Sequence, residues 1–295
     1  MRKSLEPSGS LLVTAPDADD LVHLRNLGIS DALLTHVGDP DERPRIARGD
    51  RTLLIVVRFP YRRPSAPTPY GSLPLSIFMT GTQVAMVAPH ASAYLEHDLA
   101  EDLRDLRGAT HTHFILRLML HLAAEFLDSL RELTREVDAL EAALSRSQRN
   151  AEIFELLRHQ KSLVHFSTSL AANEMLLERL EKAPFIEWDA EDRDLLQDVL
   201  VETRQALDMV RIQEGILSST MDAFASIVSN NLNTVMKFLT SATIIIAVPN
   251  LIASIYGMNV ALPGARWPYA FSAILALSLA LVAALTLLFV KKKWF

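Results

Sequence analysis

The sequence predicts an α+β protein: an N-terminal α/β domain, a long stalk helix continuous with a first transmembrane helix, and a second, C-terminal transmembrane helix. Three observations carry that prediction. Phe238–Met258 and Tyr269–Val290, 21 and 22 residues long, contain no charged side chain. Each meets the roughly 20 residues needed to cross a hydrocarbon core. From Asp189 onward no Pro or Gly cluster interrupts a helical pattern before the first of these stretches, Gly215 being the lone break. Residues 1 to about 105 instead mix strand and short-helix signals.

The elements follow in chain order. Met1-Arg2-Lys3 leads into Glu6, Pro7 and Gly9 with no apolar run, so no signal peptide is expected. Strands are predicted at Ser10–Ala15, Arg51–Phe59, Leu73–Thr80 and Thr82–Ala88, the last two joined as a hairpin through Gly81. Asp17–Leu27 reads as a helix ending at Gly28, and the proline-rich stretch Tyr61–Leu75 as an exposed loop. The pattern turns helical from about Ala91. Thr110–Arg146 places Ile115, Leu118, Leu122, Phe126 and Leu130 at helical spacing, and Ala151–Lys182 follows until Pro184 and Trp188 break it. A third helix from Asp189 to Tyr256 would have 68 residues, roughly 100 Å at about 1.5 Å per residue, and a helix so long needs partner helices. The predicted organisation is therefore a cytoplasmic α/β domain at 1–105, a helical segment at 106–188, the stalk at 189–237, spans at 238–258 and 269–290 around an outer loop at 259–268, and a basic tail at 291–295.

Charge is unevenly placed. Residues 238–295 carry only Arg266, Lys291, Lys292 and Lys293, leaving all 35 acids of the chain against 25 bases before them. An acidic soluble part suits cationic partners and argues against nucleic acid. The three lysines at the C-terminus, and Lys237 beside the first span, predict both termini in the cytoplasm of a plasma (inner) membrane protein and the short loop outside. Trp267, Tyr269 and Trp294 fall where interfacial aromatics are expected. There is no cysteine, which excludes thiolate metal sites and Cys nucleophiles. Gly-rich phosphate loops, nucleophile elbows and H-E-x-x-H are absent, so an enzyme is not expected. His111, His113 and His121 read as solvated helix surface rather than ligands, and Glu178, Arg179, Glu181 and Lys182 as a solvated face with pairs along the helix.

One pattern carries chemistry. Asp222, Ser226, Ser229, Asn233, Met236, Leu239, Thr243, Ala247, Asn250 and Ser254 recur at gaps of three and four, one continuous helix face. It is polar below the span, apolar at Met236 and Leu239, and polar again inside the span. Polar groups at that depth need partners or water. The face is either a pore wall or polar glue between packed helices. Pro249 removes a backbone donor within the span, and Gly257 ends the helix with Met258 and Asn259 at its mouth. A ring of Asn amide oxygens can meet the hydration shell of a hard cation without stripping it.

Tyr256-Gly257-Met258-Asn259 at the end of the first of two C-terminal spans resembles the signature of the CorA magnesium transporters. The run Ser229-Asn230-Asn231-Leu232-Asn233-Thr234-Val235-Met236-Lys237-Phe238-Leu239-Thr240 and the closing Lys-Lys-Lys-Trp-Phe are similar to that family too. The resemblance covers Asp189–Phe295 and reaches the N-terminal third through Leu27-Gly28-Ile29 and Arg43-Pro44-Arg45. It implies a funnel-shaped homopentamer in a lipid bilayer, with the first span lining the pore. It implies Gly257, Met258 and Asn259 as selectivity filter, Asn259 meeting the metal, Met236 and Leu239 as hydrophobic gate, and Asn233 and Asp222 as inner polar rings. It also implies an α/β/α cytoplasmic domain. In that family intracellular magnesium bridges a stalk acid and an acid of the neighbouring subunit; the stalk acid matches Asp198, and the partner position falls at Thr35-His36, with Asp39 and Asp41 close by. The chain departs from the pattern in three places. Its outer loop has no acid and carries Arg266, Ala247 stands at the lower gate position, and His36 replaces a carboxylate. A neutral imidazole favours zinc over magnesium. The expected function is uptake of divalent metal ions, Mg2+ first with Co2+ and Ni2+ beside it, driven by membrane potential. The alternatives are a Zn2+ transporter of the same superfamily, or a membrane scaffold that kept the fold without conduction.

Overall fold

The computed structural model describes residues 2–5, 10–63, 66–81, 83–102, 110–147, 150–186, 188–260, 263–264 and 267–294. Arg266 of the outer loop and the closing Phe295 lie outside them. The chain divides into two units, Met1–Ser218 and Ser219–Phe295.

The first unit is built on a six-stranded sheet: β1 (Arg2–Leu5), β2 (Ser10–Thr14), β3 (Arg45–Arg48), β4 (Leu53–Arg62), β5 (Tyr70–Met79) and β6 (Val84–Ala88), in the order β1-β2-β6-β5-β4-β3. Neighbours are antiparallel except β2 and β6. Side chains of a strand alternate between faces. Along β4 and its neighbours, Ile55, Val57, Phe59 and Ile77 therefore enter one core, while Leu54, Val56, Phe78 and Val87 enter another. Helices α1 (Ala18–Asn26) and α2 (Asp31–Leu34) cover the second face through Leu24, Leu33 and Leu34. Three long helices cover the first: α4 (His111–Ser147), α5 (Asn150–Glu181) and the start of α6 (Ala190–Tyr256). A sheet buried on both faces explains why its strands read as nearly unbroken apolar runs. The implied α/β/α arrangement is what the structure has.

Caps set the helix starts. Asp17 and Asp20 form a reciprocal capping box at α1, and Gly28 beyond its end has φ of 87°. Asp189 Oδ1 accepts the Asp192 backbone N–H at 2.7 Å, the N-cap that begins α6. The chain between β6 and α4 holds a π-helical turn, Tyr94–Asp98, followed by α3 (Leu99–Asp102).

Of the stretch Tyr61–Leu75, only residues 63–69 lie outside the strands. β4 continues through Arg62 and β5 begins at Tyr70, so Pro60 and Pro74 sit inside strands. Arg58, paired with Pro74, directs its backbone away from β5: its N–H donates to Asn173 Oδ1 at 2.9 Å, and its carbonyl accepts from Asn173 Nδ2 at 2.8 Å. The pair makes no ladder bond, so the missing proline donor is not needed there. β3 pairs only as far as Val56, and Asn173 of α5 takes its place along Arg58.

Two surface expectations change. His113 is not solvated surface: its Nδ1 lies 3.1 Å from Oδ1 of the buried Asp192, joining α4 to α6. Glu178 bonds Arg204 of α6 at 2.8 Å, and Glu181 accepts from Gln197 at 2.8 Å, so these acids tie α5 to α6.

On α4, burial first, then Asp128 and Asp98, pushes the Glu125 carboxyl up to about 7. Its folded value lies above the ordinary one of 4.5. Stability from this group is therefore full while it is protonated and is lost as pH rises from about 4.5 through about 7. Glu125→Gln should raise the unfolding midpoint of the full chain near pH 8, by the equivalent of about 1–2 kcal/mol. The gain should vanish near pH 5; an equal shift at both pH values would refute the assignment.

Candidate functional site

The long helix changes character along its length. Up to Leu217 it belongs to the core of the first unit, burying Leu196, Val199, Thr203, Ala206, Val210, Gln213 and Leu217 at gaps of three and four. The expectation that the whole stalk needs partner helices thus fails for its first turns, which pack within their own chain. From Ser218 to Thr240 no residue is buried, although Ile227, Val228, Leu232 and Val235 are large and apolar. An apolar patch this long on a free helix marks an interface.

The ten residues of the spaced face are all exposed within the chain, Met236 at 53% and Leu239 at 57%. The covered side of α6 is the opposite one. Ser241 is fully buried, and Ile245, Val248 and Ile252 are half-buried. Ser241 and Ile245 lie two residues beyond Leu239 and Thr243, about 200° further around the helix. Apolar windows of α6 and of α7 (Ala270–Lys291) are only 6% and 11% buried, which no helix from a soluble core would show. They are long and apolar enough to span a bilayer.

Within the exposed face the hydroxyls are partly satisfied locally. Thr243 Oγ1 donates to the Leu239 carbonyl at 2.8 Å, and Ser226 Oγ to that of Asp222 at 3.0 Å. That leaves their oxygen lone pairs facing outward. The amides of Asn233 and Asn250 have no hydrogen-bond partner among the described residues. An unpaired amide at bilayer depth requires water, an ion or a second chain. The helix runs unbroken through Pro249. It ends at Tyr256, where the Gly257 N–H reaches the Ala253 carbonyl at 2.9 Å. A Cβ on Gly257 would lie 3.3 Å from that same carbonyl, so the turn that presents Met258 and Asn259 favours glycine. Both of those residues are exposed. Trp267 and Tyr269 stack edge-to-face at 5.9 Å before α7. At its other end Trp294 stacks on Phe289 at 5.4 Å, placing the lysine tail beside the helix end.

The cytoplasmic candidates separate into two groups. Asp198 is exposed on α6 and has no partner among the described residues. His36 is joined by two carboxylates, one of which the sequence did not single out. Successive i→i+3 turns, Asp39 N–H to His36 carbonyl at 3.0 Å and Glu42 N–H to Asp39 carbonyl at 3.3 Å, stack three side chains. One ligand atom each from His36, Asp39 and Glu42 lies within 4.8 Å of the others. Asp41 stands outside this group, its N–H bonded to Asp39 Oδ1. Glu42 also holds Arg45 at 2.6 Å. The regular spacing of three between these residues was the available signal.

The family described as CorA-like Mg2+ transporter protein matches residues 11–293. The cobalt/magnesium transport protein CorA of Methanocaldococcus jannaschii is 32% identical over 182 residues, 60% of this chain and 57% of that protein, so the match spans little more than half of that relative's length. The solved complete structure of the CorA magnesium transporter from the same organism superposes with a TM-score of 0.84 at 25% identity, covering 97% of this chain and 91% of that one. The ZntB cytoplasmic domain from Vibrio parahaemolyticus shares the fold, with a TM-score of 0.59 at 12% identity over 76% of this chain and 89% of that one.

Single cysteines report on the exposed face without background, since the chain has none. In the assembled protein, cysteine at Asn233, Thr243 or Asn250 should react with a water-soluble thiosulfonate, while cysteine at Ser241 should not. Protection at every position would make the face a dry helix contact instead of a pore wall.

Proposed function

This chain belongs to the CorA-like Mg2+ transporter family, and we propose that it conducts divalent metal ions, Mg2+ first, across the inner (plasma) membrane, through a pore that α6 lines in a homopentamer. The observation that carries this reading is the exposed face of α6: polar, then apolar, then polar again, bare within the chain and ending at Asn259. In this reading Asn259, presented by Gly257 and Met258, meets the hydrated ion with neutral oxygens. Magnesium gives up water reluctantly, and an amide ring binds its hydration shell weakly enough to release it. Thr243, Ala247, Asn250 and Ser254 line the span. Met236 and Leu239 form the narrow apolar ring that closes by dewetting, and Asn233 and Asp222 form polar rings below it.

Membrane potential supplies the driving force. Two charges crossing the field gain about 4.6 kcal/mol per 100 mV. Neither span contains an ionisable Asp, Glu or His to relay protons. Both termini lie in the cytoplasm in this reading, on the side of the lysines.

A second reading gains support from the His36 group. An imidazole with two carboxylates is a donor set that zinc prefers over magnesium. In this reading Zn2+ acts at that cytoplasmic position, with Asp198 as the stalk-side acid, either as regulator or as a sign that zinc is the cargo.

In proteoliposomes, Mg2+ uptake should follow an inside-negative potential, and Asn259→Ala should abolish it while oligomer size is unchanged. Full uptake by a well-assembled Asn259→Ala protein overturns the filter. Uptake that follows a pH gradient at zero potential favours a proton-coupled zinc carrier. No flux at all leaves the scaffold.

Cytoplasmic Zn2+ should inhibit Mg2+ flux at lower concentration than cytoplasmic Mg2+ does. His36→Ala should raise the inhibitory Zn2+ concentration at least tenfold and leave Mg2+ inhibition alone. Equal zinc sensitivity in the variant removes His36 from regulation.

A further inference from the structure

The first unit has a cleft to which the transport reading assigns no role. It is about 650 Å3 in volume, lies between α5 and the chain around β3–β5, and adjoins a second of about 370 Å3 that shares Asp41, Arg58, Ser72 and His165 with it. The larger volume falls within the roughly 300–1,000 Å3 typical of small-molecule sites.

Its lining is net positive. Arg43, Arg58 and Arg179 line the larger cleft against one carboxylate among the described residues, Asp41. Arg43 and Arg179 are exposed and make no ion pair or hydrogen bond among the described residues. Arg58 is fixed in place by neutral acceptors: Nη1 donates to the Glu42 carbonyl at 2.9 Å, Nη2 to the Pro40 and Ser72 carbonyls at 3.2 and 2.5 Å, and Nε to Ser72 Oγ at 2.8 Å. No carboxylate contacts it: burial lowers its pKa from the ordinary value, and Asp41 and Asp39 oppose that through space. One wall is apolar, formed by Ala172, Leu176 and Met175, the last 56% exposed.

Guanidinium groups match phosphate oxygens in geometry as well as charge. The exposed Met175, with Ala172 beside it, offers a ring an apolar surface next to them. We propose that this cleft binds a small phosphate-bearing anion with an aromatic body, the chemical class of a nucleotide. The phosphates sit between Arg43 and Arg179 over the fixed Arg58, and the body lies on Met175 and Ala172.

The test is calorimetric titration of the full-length protein in detergent, freed of divalent ions and at low salt, with ADP and with pyrophosphate as probes. ADP should bind, at least tenfold more tightly to the parent than to an R43Q/R179Q double variant, and more weakly as salt rises. Both arginines are exposed and unpartnered, so the double variant should keep its oligomer size and unfolding midpoint. Met175→Ser, which adds no charge beside Arg179, should weaken ADP binding and spare pyrophosphate, which has no body to place. Absence of ADP binding to the parent, or equal affinity in the double variant, overturns the proposal. Pyrophosphate binding as tight as ADP, with ADP binding unaffected by Met175→Ser, overturns the nucleotide class. No flux is read, so neither result bears on transport.

Discussion

α6 runs as one helix from Ala190 to Tyr256, 67 residues with one proline inside it, and the remaining features hang on its i→i−4 hydrogen-bond ladder. A backbone that enters hydrocarbon must satisfy its own polar groups, and only a closed ladder does so for a single segment. Pro249 is the one place where the ladder gives something up. It brings no N–H, so the carbonyl one turn below it, that of Ile245, loses its partner. The helix tolerates this because the same stretch carries Thr243 and Asn250, polar groups that require water or a neighbour in any case. Backbone and side chains together thus concentrate unsatisfied polarity in one short region of the span.

The two ends of α6 solve opposite problems. Its N-terminal turns are held by a cap at Asp189, a hydrogen bond between Asp192 and His113, and a run of buried Leu and Val against the sheet. Arg204 clamps it to Glu174 and Glu178 of α5. These contacts fix where the helix begins and which face is spent on its own chain. From Ser218 to Thr240 no residue of α6 is buried, and large apolar side chains stand in the open. Burying them is worth about 25 cal/mol per Å2 of apolar surface, and the proposed assembly of copies would supply that burial.

The helices were legible because burial on one side leaves a three-to-four residue period: α4, α5 and α6 begin and end within a residue or two of their expected bounds. The sheet was legible only at its centre. β3 reads Arg-Ile-Ala-Arg, an edge strand whose charges guard an unpaired side, and no apolar run betrays it. β4 stops at Phe59 and β5 starts at Leu73 in the sequence reading because 61–75 reads as a proline-rich loop, and whether a strand position needs a donor depends on pairing that a sequence does not display. Glu42 stayed hidden for another reason: Asp39-Pro40-Asp41-Glu42 is turn-forming composition, but the second turn, from His36 to Asp39, that stacks on it has no such mark. The spaced face of α6 was visible because it lies on a single uninterrupted helix, where spacing alone fixes direction.

The charge distribution constrains how an ion would move. The last carboxylate of the chain is Asp222, and none follows through the spans or the described part of the outer loop. A carboxylate ring at the mouth would hold a divalent ion strongly and slow its exit, whereas amide oxygens at Asn259 and Asn250 offer several weak contacts. The net negative charge of the residues before the spans cannot supply attraction at the outer mouth, since fields in salt decay over about 8 Å and a hydrocarbon core is about 30 Å thick. Neutral oxygens leave the entering ion largely hydrated, so little binding energy has to be recovered on the far side. In the proposed conduction path, direction would then rest on the transmembrane voltage, and control on whether the apolar collar at Met236 and Leu239 is wet.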